Sequence, residues 1–551
     1  MFKNLFKNGR DLLNKEHSSI LSAAFVIMVT VLLSAVLGVI RNRLLISYFY
    51  SSPESLDAYW AAFRIPDMIF QLLVVGALSA AFIPVYSSLI EKKDRSSNIV
   101  ASSVMNFVVA ILSFLSLLVW IFALPLSRSI APSFTPAQLS LMVELTRIMI
   151  GAQIFFGVSS FLTGIIQSHK RFLIPALSPL LYNVGIIIGT VILSPEYGIH
   201  GPAMGVVIGS ILHLLAQIPL SRTLGFRYSF SFRGGDESVR EIGRLMLPRT
   251  LALSVNQLEQ TAVVFFATAL PAGSLTMVYI AQQLAGLPVR LFGIPIGQAS
   301  LPFLAKENAK KNLEKLAEMV NNSLLEIMYL ALPASAIVLV LRIPLVRLAY
   351  GADSFPWGAT VTTGKLVAIL AFSIAARSLT HLLIRVFYSL HNTKTPFFIA
   401  SFSTALSIAL SYFFTVTLGT GVLGLAAAIT LASFTETILL VASLFSMAKF
   451  ALSKLLSPIG KMLLAAVLTA FSLWIPLRVL DRLIFDTTRT IPLILLTTTV
   501  FFIGIVIYFI ASYLLQIREL EVFIKLVRKV GNWHKVLSET GETLETSEST
   551  V

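Results

Sequence analysis

The sequence predicts an all-α polytopic membrane protein of about 14 transmembrane helices, arranged as two six-helix lobes in parallel repeat plus two extra C-terminal helices. Three observations predict it. Hydrophobic residues make up 56% of the chain and charged residues only 13%, against roughly 25% charged in a soluble domain. Mean hydropathy is +0.84. Apolar runs of roughly 20 residues or more, long enough to cross about 30 Å of hydrocarbon, recur from Ser19 to Gln516 with short breaks.

Taken in order, the approximate span cores are 20–48, 61–89, 99–127, 138–166, 173–194, 202–221, 243–269, 274–304, 319–341, 361–388, 396–417, 422–447, 459–477 and 491–515. The basic start, 1–19, runs from Lys3 to Lys15 straight into the first span with no small-residue cleavage site, so it reads as a retained cytoplasmic segment. One set of loops is basic: Lys92, Lys93 and Arg95; Lys170 and Arg171; Arg222, Arg227, Arg233, Arg240 and Arg244; Lys306, Lys310, Lys311 and Lys315; Lys394; Lys449, Lys454 and Lys461. In the alternate set, 50–56, 195–200, 270–273 and 418–421 hold no Lys or Arg, and the exceptions are Arg128, Arg342, Arg347, Arg478, Arg482 and Arg489. The positive-inside rule then places both termini on the cytoplasmic face of a bacterial inner membrane. The same rule accounts for the net charge of +15 without a nucleic-acid partner.

Six spans separate two similar halves. Gly198-Ile-His-Gly-Pro-Ala-Met-Gly opens the sixth span and Gly421-Val-Leu-Gly-Leu-Ala-Ala-Ala the twelfth. Ser168-His-Lys-Arg-Phe-Leu-Ile-Pro175 leads into the fifth and Leu390-His-Asn-Thr-Lys-Thr-Pro396 into the eleventh. Ala80-Ala-Phe-Ile-Pro84 ends the second, and Ala299-Ser-Leu-Pro302 the eighth. The offset is about 220 residues, and an even number of intervening spans makes the repeat parallel. The lobes are then 20–222 and 243–447, joined by a cytoplasmic linker at 223–242. Spans 13 and 14 occupy 448–516, outside the repeat. Residues 517–536 alternate apolar and basic side chains, as an amphipathic helix on an anionic leaflet does. The Ser-, Thr- and Glu-rich 537–551 read as disordered.

A charge inside a span costs several kcal/mol unless it meets water or a partner. Arg41, Arg43, Asp57, Arg64, Arg147, Arg290, Arg377, His381, Arg385, Glu259 and Glu436 are such charges. Arg43, Asp57, Arg249 and Arg385 lie near interfaces, where long side chains snorkel and need no special role. Arg41 and Arg290 lie deeper and suit a polar cavity for a polyanion, since a guanidinium binds phosphate in bidentate fashion. Glu259 beside Asn256, and Glu436 beside Thr435, could hold Na⁺ or titrate as proton sites, or make hydrogen bonds between helices. The chain has no cysteine, no HExxH, no phosphate loop of Walker type and no acid cluster with metal spacing, so no enzyme, metal site or resident cofactor is expected.

Several stretches carry a family resemblance. They are Leu37-Gly-Val-Ile-Arg41, Leu56-Asp-Ala-Tyr-Trp-Ala-Ala-Phe-Arg-Ile-Pro66, Gly76-Ala-Leu-Ser-Ala-Ala-Phe-Ile-Pro84, Ser168-His-Lys-Arg-Phe172 with Asn183, Leu247-Pro-Arg-Thr250, Phe292-Gly-Ile-Pro-Ile-Gly297 and Arg385-Val-Phe-Tyr-Ser-Leu-His-Asn-Thr-Lys-Thr-Pro396. On these the chain resembles the lipid II flippases (MurJ/MviN) of the multidrug/oligosaccharidyl-lipid/polysaccharide exporter superfamily. The resemblance implies alternating-access transfer of an undecaprenyl-pyrophosphate-linked peptidoglycan precursor to the outer leaflet. It implies an Arg-lined cavity, with Arg41 and Asp57 at positions the family uses and Arg64 at a basic one, and a groove for the lipid tail at spans 13 and 14; Arg43, Arg147 and Arg290 are further candidates from the charges within the spans alone. Coupling would come from Na⁺, H⁺ or the membrane potential. The chain departs from the family's pattern at Ala35, where an arginine is usual, and at Phe70 and Gln71, where basic residues are. It departs again at Val75, where an acid is usual, and at Gln282 and Gln283, where an Asp-Arg pair is. Arg290 follows Gln283 by two helical turns on the same face, so it is expected to supply the displaced cation. Another lipid-linked oligosaccharide as cargo, or cation-coupled drug export, are the alternatives.

Overall fold

The computed structural model describes residues 20–75, 81–92, 96–169, 171–351, 355–447, 453–487, 489–521 and 523–524. The expected basic start at 1–19, most of the tail helix expected over 517–536 and the disordered stretch expected at 537–551 lie outside the described residues. The described residues are helical throughout, with no strand among them. They form two compact units dividing at Gly273.

The first unit begins with α1 (Ile20–Phe49), α2 (Pro53–Ala62), α3 (Arg64–Phe70), α4 (Ile83–Glu91), α5 (Ser97–Ile121) and the short α6 (Ala123–Ile130). It continues through α7 (Pro136–Ile150), α8 (Ala152–Ser168), α9 (Leu173–Ile188), α10 (Ser194–Tyr197), α11 (His200–Leu215), α12 (Ile218–Thr223) and α13 (Glu237–Thr268). Thr135 and Gln138 form a reciprocal capping box ahead of Pro136 at the start of α7, satisfying two of the helix's orphan donors. Between α9 and α11 the chains meet on a glycine seam. A Cβ at Gly185, Gly189, Gly205 or Gly209 would overlap backbone of the opposite helix, so these glycines permit the close approach that drives helix association in lipid.

The linker is not a free tether. Asn106 of α5 donates to the carbonyls of Ser229 (3.2 Å) and Ser231 (2.9 Å) and accepts from Tyr228 Oη (2.9 Å). Phe107 packs edge-on against Phe232. The linker is therefore laid along α5, and α13, expected to open the second lobe, packs with the first unit instead. Thr250 of α13 donates to the Leu72 carbonyl at 3.0 Å.

The second unit holds α14 (Ser274–Pro288), α15 (Ile294–Ala309), α16 (Leu313–Val340), the short α17 (Arg342–Tyr350), α18 (Trp357–Ser389), α19 (Lys394–Tyr412), α20 (Gly421–Met447), α21 (Ser453–Leu483) and α22 (Thr490–Leu514). Its last two helices are seated on α16 by Ile337, Leu341, Leu473, Leu493, Leu496 and Val500.

The repeat expected from sequence is visible in the irregularities. π-helical turns interrupt the second and eighth spans at Gln71–Val75 and Val289–Gly293, and the fifth and eleventh at Gly189–Leu193 and Phe413–Thr417. The short α6 and α17 follow the third and ninth spans. Twelve helical segments among the described residues are long and apolar enough to cross a membrane. The other two expected spans are also helical. The second is described in pieces on either side of 76–80, and the seventh, α13, carries several charges, among them Arg240, Arg244 and Glu259.

Candidate functional site

In the first unit, charge gathers on α1 and α3. Arg41 Nη1 donates to Asn183 Oδ1 on α9 at 3.0 Å, and its Nε to Asn42 Oδ1 at 2.9 Å. Asn183 is held in turn by Ser34 Oγ (3.3 Å) and the Pro179 carbonyl (3.2 Å). The Pro179 carbonyl lies within α9 itself, so the helix backbone orients the amide that orients Arg41. Arg64, at the first turn of α3, donates to Thr261 Oγ1 of α13 at 3.1 Å and to Gln257 Oε1.

Asp67, one turn beyond Arg64, was missed by the sequence reasoning. The charges of both Arg64 and Arg41 act on it, and its side chain is exposed. The signal was available: an acid three residues after an arginine inside an apolar run.

Other expected residues stand elsewhere. Asp57 is 2% exposed and its carboxylate accepts from the Gly273 backbone N–H at 2.7 Å. It was expected to line the cavity; so enclosed, it clamps the loop at the end of the first unit instead. Gly273 has φ +87°, the left-handed region where glycine costs least. Arg147 donates from Nε to the Trp120 carbonyl at 3.0 Å and lies 5.1 Å over the Trp120 ring. It caps the last turn of α5, where a cation is favoured, rather than joining Arg41 and Arg64. Arg43 is half-buried on α1.

In the second unit, Arg290 sits in the π-turn after α14 with an exposed side chain. Its Nη2 donates to the Gln283 carbonyl (3.0 Å) and Gln283 Oε1 (3.1 Å). The guanidinium thus folds back along α14 past Gly286, where a Cβ would lie 3.9 Å from Arg290 Cζ. Arg377, half-buried on α18, is close enough for the two charges to act on each other. Arg377 and Arg385 both act on His381, so this face of α18 is cationic.

The acids expected to couple ions fall in different units. Glu259 and Asn256 lie on α13 of the first, Asn256 exposed and Glu259 half-buried. Glu436 and Thr435 lie on α20 of the second. Thr435 Oγ1 donates to the Leu431 carbonyl at 2.9 Å, and neighbouring Thr437 ties α20 to the Ala376 carbonyl at 3.0 Å. The positions of the family's other charges are filled neutrally; Phe70 packs on Phe156 at 5.7 Å.

The sequence model of the family described as lipid II flippase MurJ matches residues 45–516. The chain belongs to the lipid II flippase MurJ family. It is 28% identical over 518 residues to a probable lipid II flippase MurJ of Bdellovibrio bacteriovorus, covering 92% of this chain and 97% of that protein. It is 26% identical over 384 residues to the lipid II flippase MurJ of Burkholderia cenocepacia, covering 67% and 73%. Its fold is similar to that of a lipid II flippase MurJ solved in an inward closed conformation, with TM-score 0.73, 24% identity, 88% of this chain and 99% of that one covered. A multidrug resistance MATE transporter in its inward-facing conformation shares the fold more loosely, at TM-score 0.61, 17% identity, 75% and 94% covered. This member of the MurJ family is accordingly a multi-pass membrane protein of a transporter family.

Proposed function

We propose that the protein is a flippase that carries lipid II, a polyprenyl-pyrophosphate-linked cell-wall precursor, from the inner to the outer leaflet of the bacterial inner membrane by alternating access, with both termini cytoplasmic. The observation that carries this reading is Arg290. Its guanidinium is turned back to the level of Gln283, where the family carries its arginine, and it remains exposed. An accessible guanidinium inside a spanning segment suits a pyrophosphate, which offers paired oxygens to its fork. Arg41, Arg64 and Asp67 supply a second polar group in the first unit. Binding of lipid II to the purified full chain tests this. Arg290→Ala and Arg41→Ala are each expected to weaken binding by about tenfold or more, the loss of a charge-assisted contact of about 1.5–3 kcal/mol; unchanged affinity in both contradicts the reading.

Coupling is proposed to use Na⁺ or H⁺ at Glu259 with Asn256, at Glu436 with Thr435, or at both. Flipping in proteoliposomes is expected to lose its dependence on the ion gradient in Glu259→Gln or Glu436→Gln. Full retention of that dependence in both variants removes the proposal.

A further inference from the structure

The second unit contains a groove of about 1440 Å³ between α16, α17, α18, α21 and α22. Its walls are apolar and aromatic, with Phe372, Phe471 and Trp474 among them exposed. One end is different. Arg342, Arg347, Lys365 and Arg478 line it, with Asp481 as the one acid in the lining. Arg342 and Arg347 lie on α17, Arg478 and Asp481 near the end of α21, and Thr487 follows it; the connections after α16 and α21 belong to the alternate set that the charge pattern places outside. Three of the six exceptions to that pattern therefore converge on one groove, which snorkelling of isolated side chains does not explain.

The rim is built, and its charge is still available. Arg347 Nη2 donates to the Thr487 carbonyl at 2.5 Å and its guanidinium lies 6.0 Å from the Trp357 ring centroid. Arg342 Nη1 donates to the Leu339 carbonyl at 2.8 Å. Both keep further N–H groups. Arg478 rests 5.8 Å over Trp474. Neither Arg478 nor Lys365 has a hydrogen bond or ion pair among the described residues. Asp481 accepts from Thr487 Oγ1 at 2.7 Å.

We propose that this rim is an outer-leaflet docking site for the pyrophosphate of a polyprenyl-pyrophosphate lipid, with the adjoining prenyl units in the groove below. Four cations against one acid exceed what the single charge of a phospholipid phosphodiester needs, and match a pyrophosphate. The resemblance implied a groove for a tail at the last two spans; the headgroup rim is additional to it. The inference rests on the cargo and orientation proposed above.

The test uses the full chain in phosphatidylcholine nanodiscs and a photoactivatable polyprenyl pyrophosphate, with labelled positions mapped by mass spectrometry. Label is expected within 357–372 and 467–481, displaced by unlabelled polyprenyl pyrophosphate and not by phosphatidylglycerol. Lys365→Gln with Arg478→Gln is expected to cut that label about tenfold and leave any label near Arg290 unchanged, while Lys365→Arg with Arg478→Lys retains it. Label absent from both segments, label undiminished in the glutamine chain, or equal displacement by phosphatidylglycerol overturns the proposal. Labelling requires no transport, so it can fail while the flippase reading survives, and the converse holds for Arg290→Ala.

Discussion

Arg290 and Gln283 are seven residues apart, yet the head of one rests on the side chain of the other. Side chains on a helix lean toward its N-terminus, so an arginine planted two turns further along delivers its charge to the earlier position. This much was legible, because the spacing alone placed both on one face. A compensation follows: in the Arg290→Ala chain, adding Gln283→Arg is expected to recover most of the lost lipid II affinity. No recovery in a folded double variant would mean that the cation is needed at the Arg290 backbone position itself. Asp57 was legible only as a charge near a span. Its partner is a backbone N–H 216 residues away, and a contact to a main-chain atom leaves no trace in residue types. Asp67 was missed although it follows Arg64 by three residues within an apolar run.

At the scale of helices, hydropathy located the spans and the repeat, but it averages over turns and is blind to the π-turns that fall in matching spans of the two halves. A π-turn inserts one residue and leaves composition unchanged. Hydropathy also put the unit boundary before α13, whereas the hydrogen bonds of Thr250, Gln257 and Thr261 carry that helix with the first unit. The glycine seam is the most exposed to single changes. Gly205→Leu forces a side chain into the backbone of α9 at Gly185 and Gly189. Overpacking of this kind costs about 1–3 kcal/mol, and here it meets backbone that cannot rotate aside. A lowered melting temperature in detergent is expected, with Gly243→Leu, where a Cβ meets nothing, as the unaffected control; equal melting of the two chains would show that the seam can open without loss.

At the scale of the molecule, the alternation of basic and bare loops is the basis of the proposed orientation, and three of its six exceptions line the groove rim. The proposed coupling to the membrane potential would act only through charges that move across the field, at about 2.3 kcal/mol per charge per 100 mV. The cargo is the point on which the account turns. The direct measurement is rescue of growth in bacteria depleted of their own lipid II flippase, with wild type, Arg41→Ala and Arg290→Ala expressed to equal levels in the membrane. Rescue by wild type, with loss in Arg290→Ala and in Arg41→Ala, is the predicted result. Failure of the well-inserted wild type, or full rescue by both variants, would contradict it.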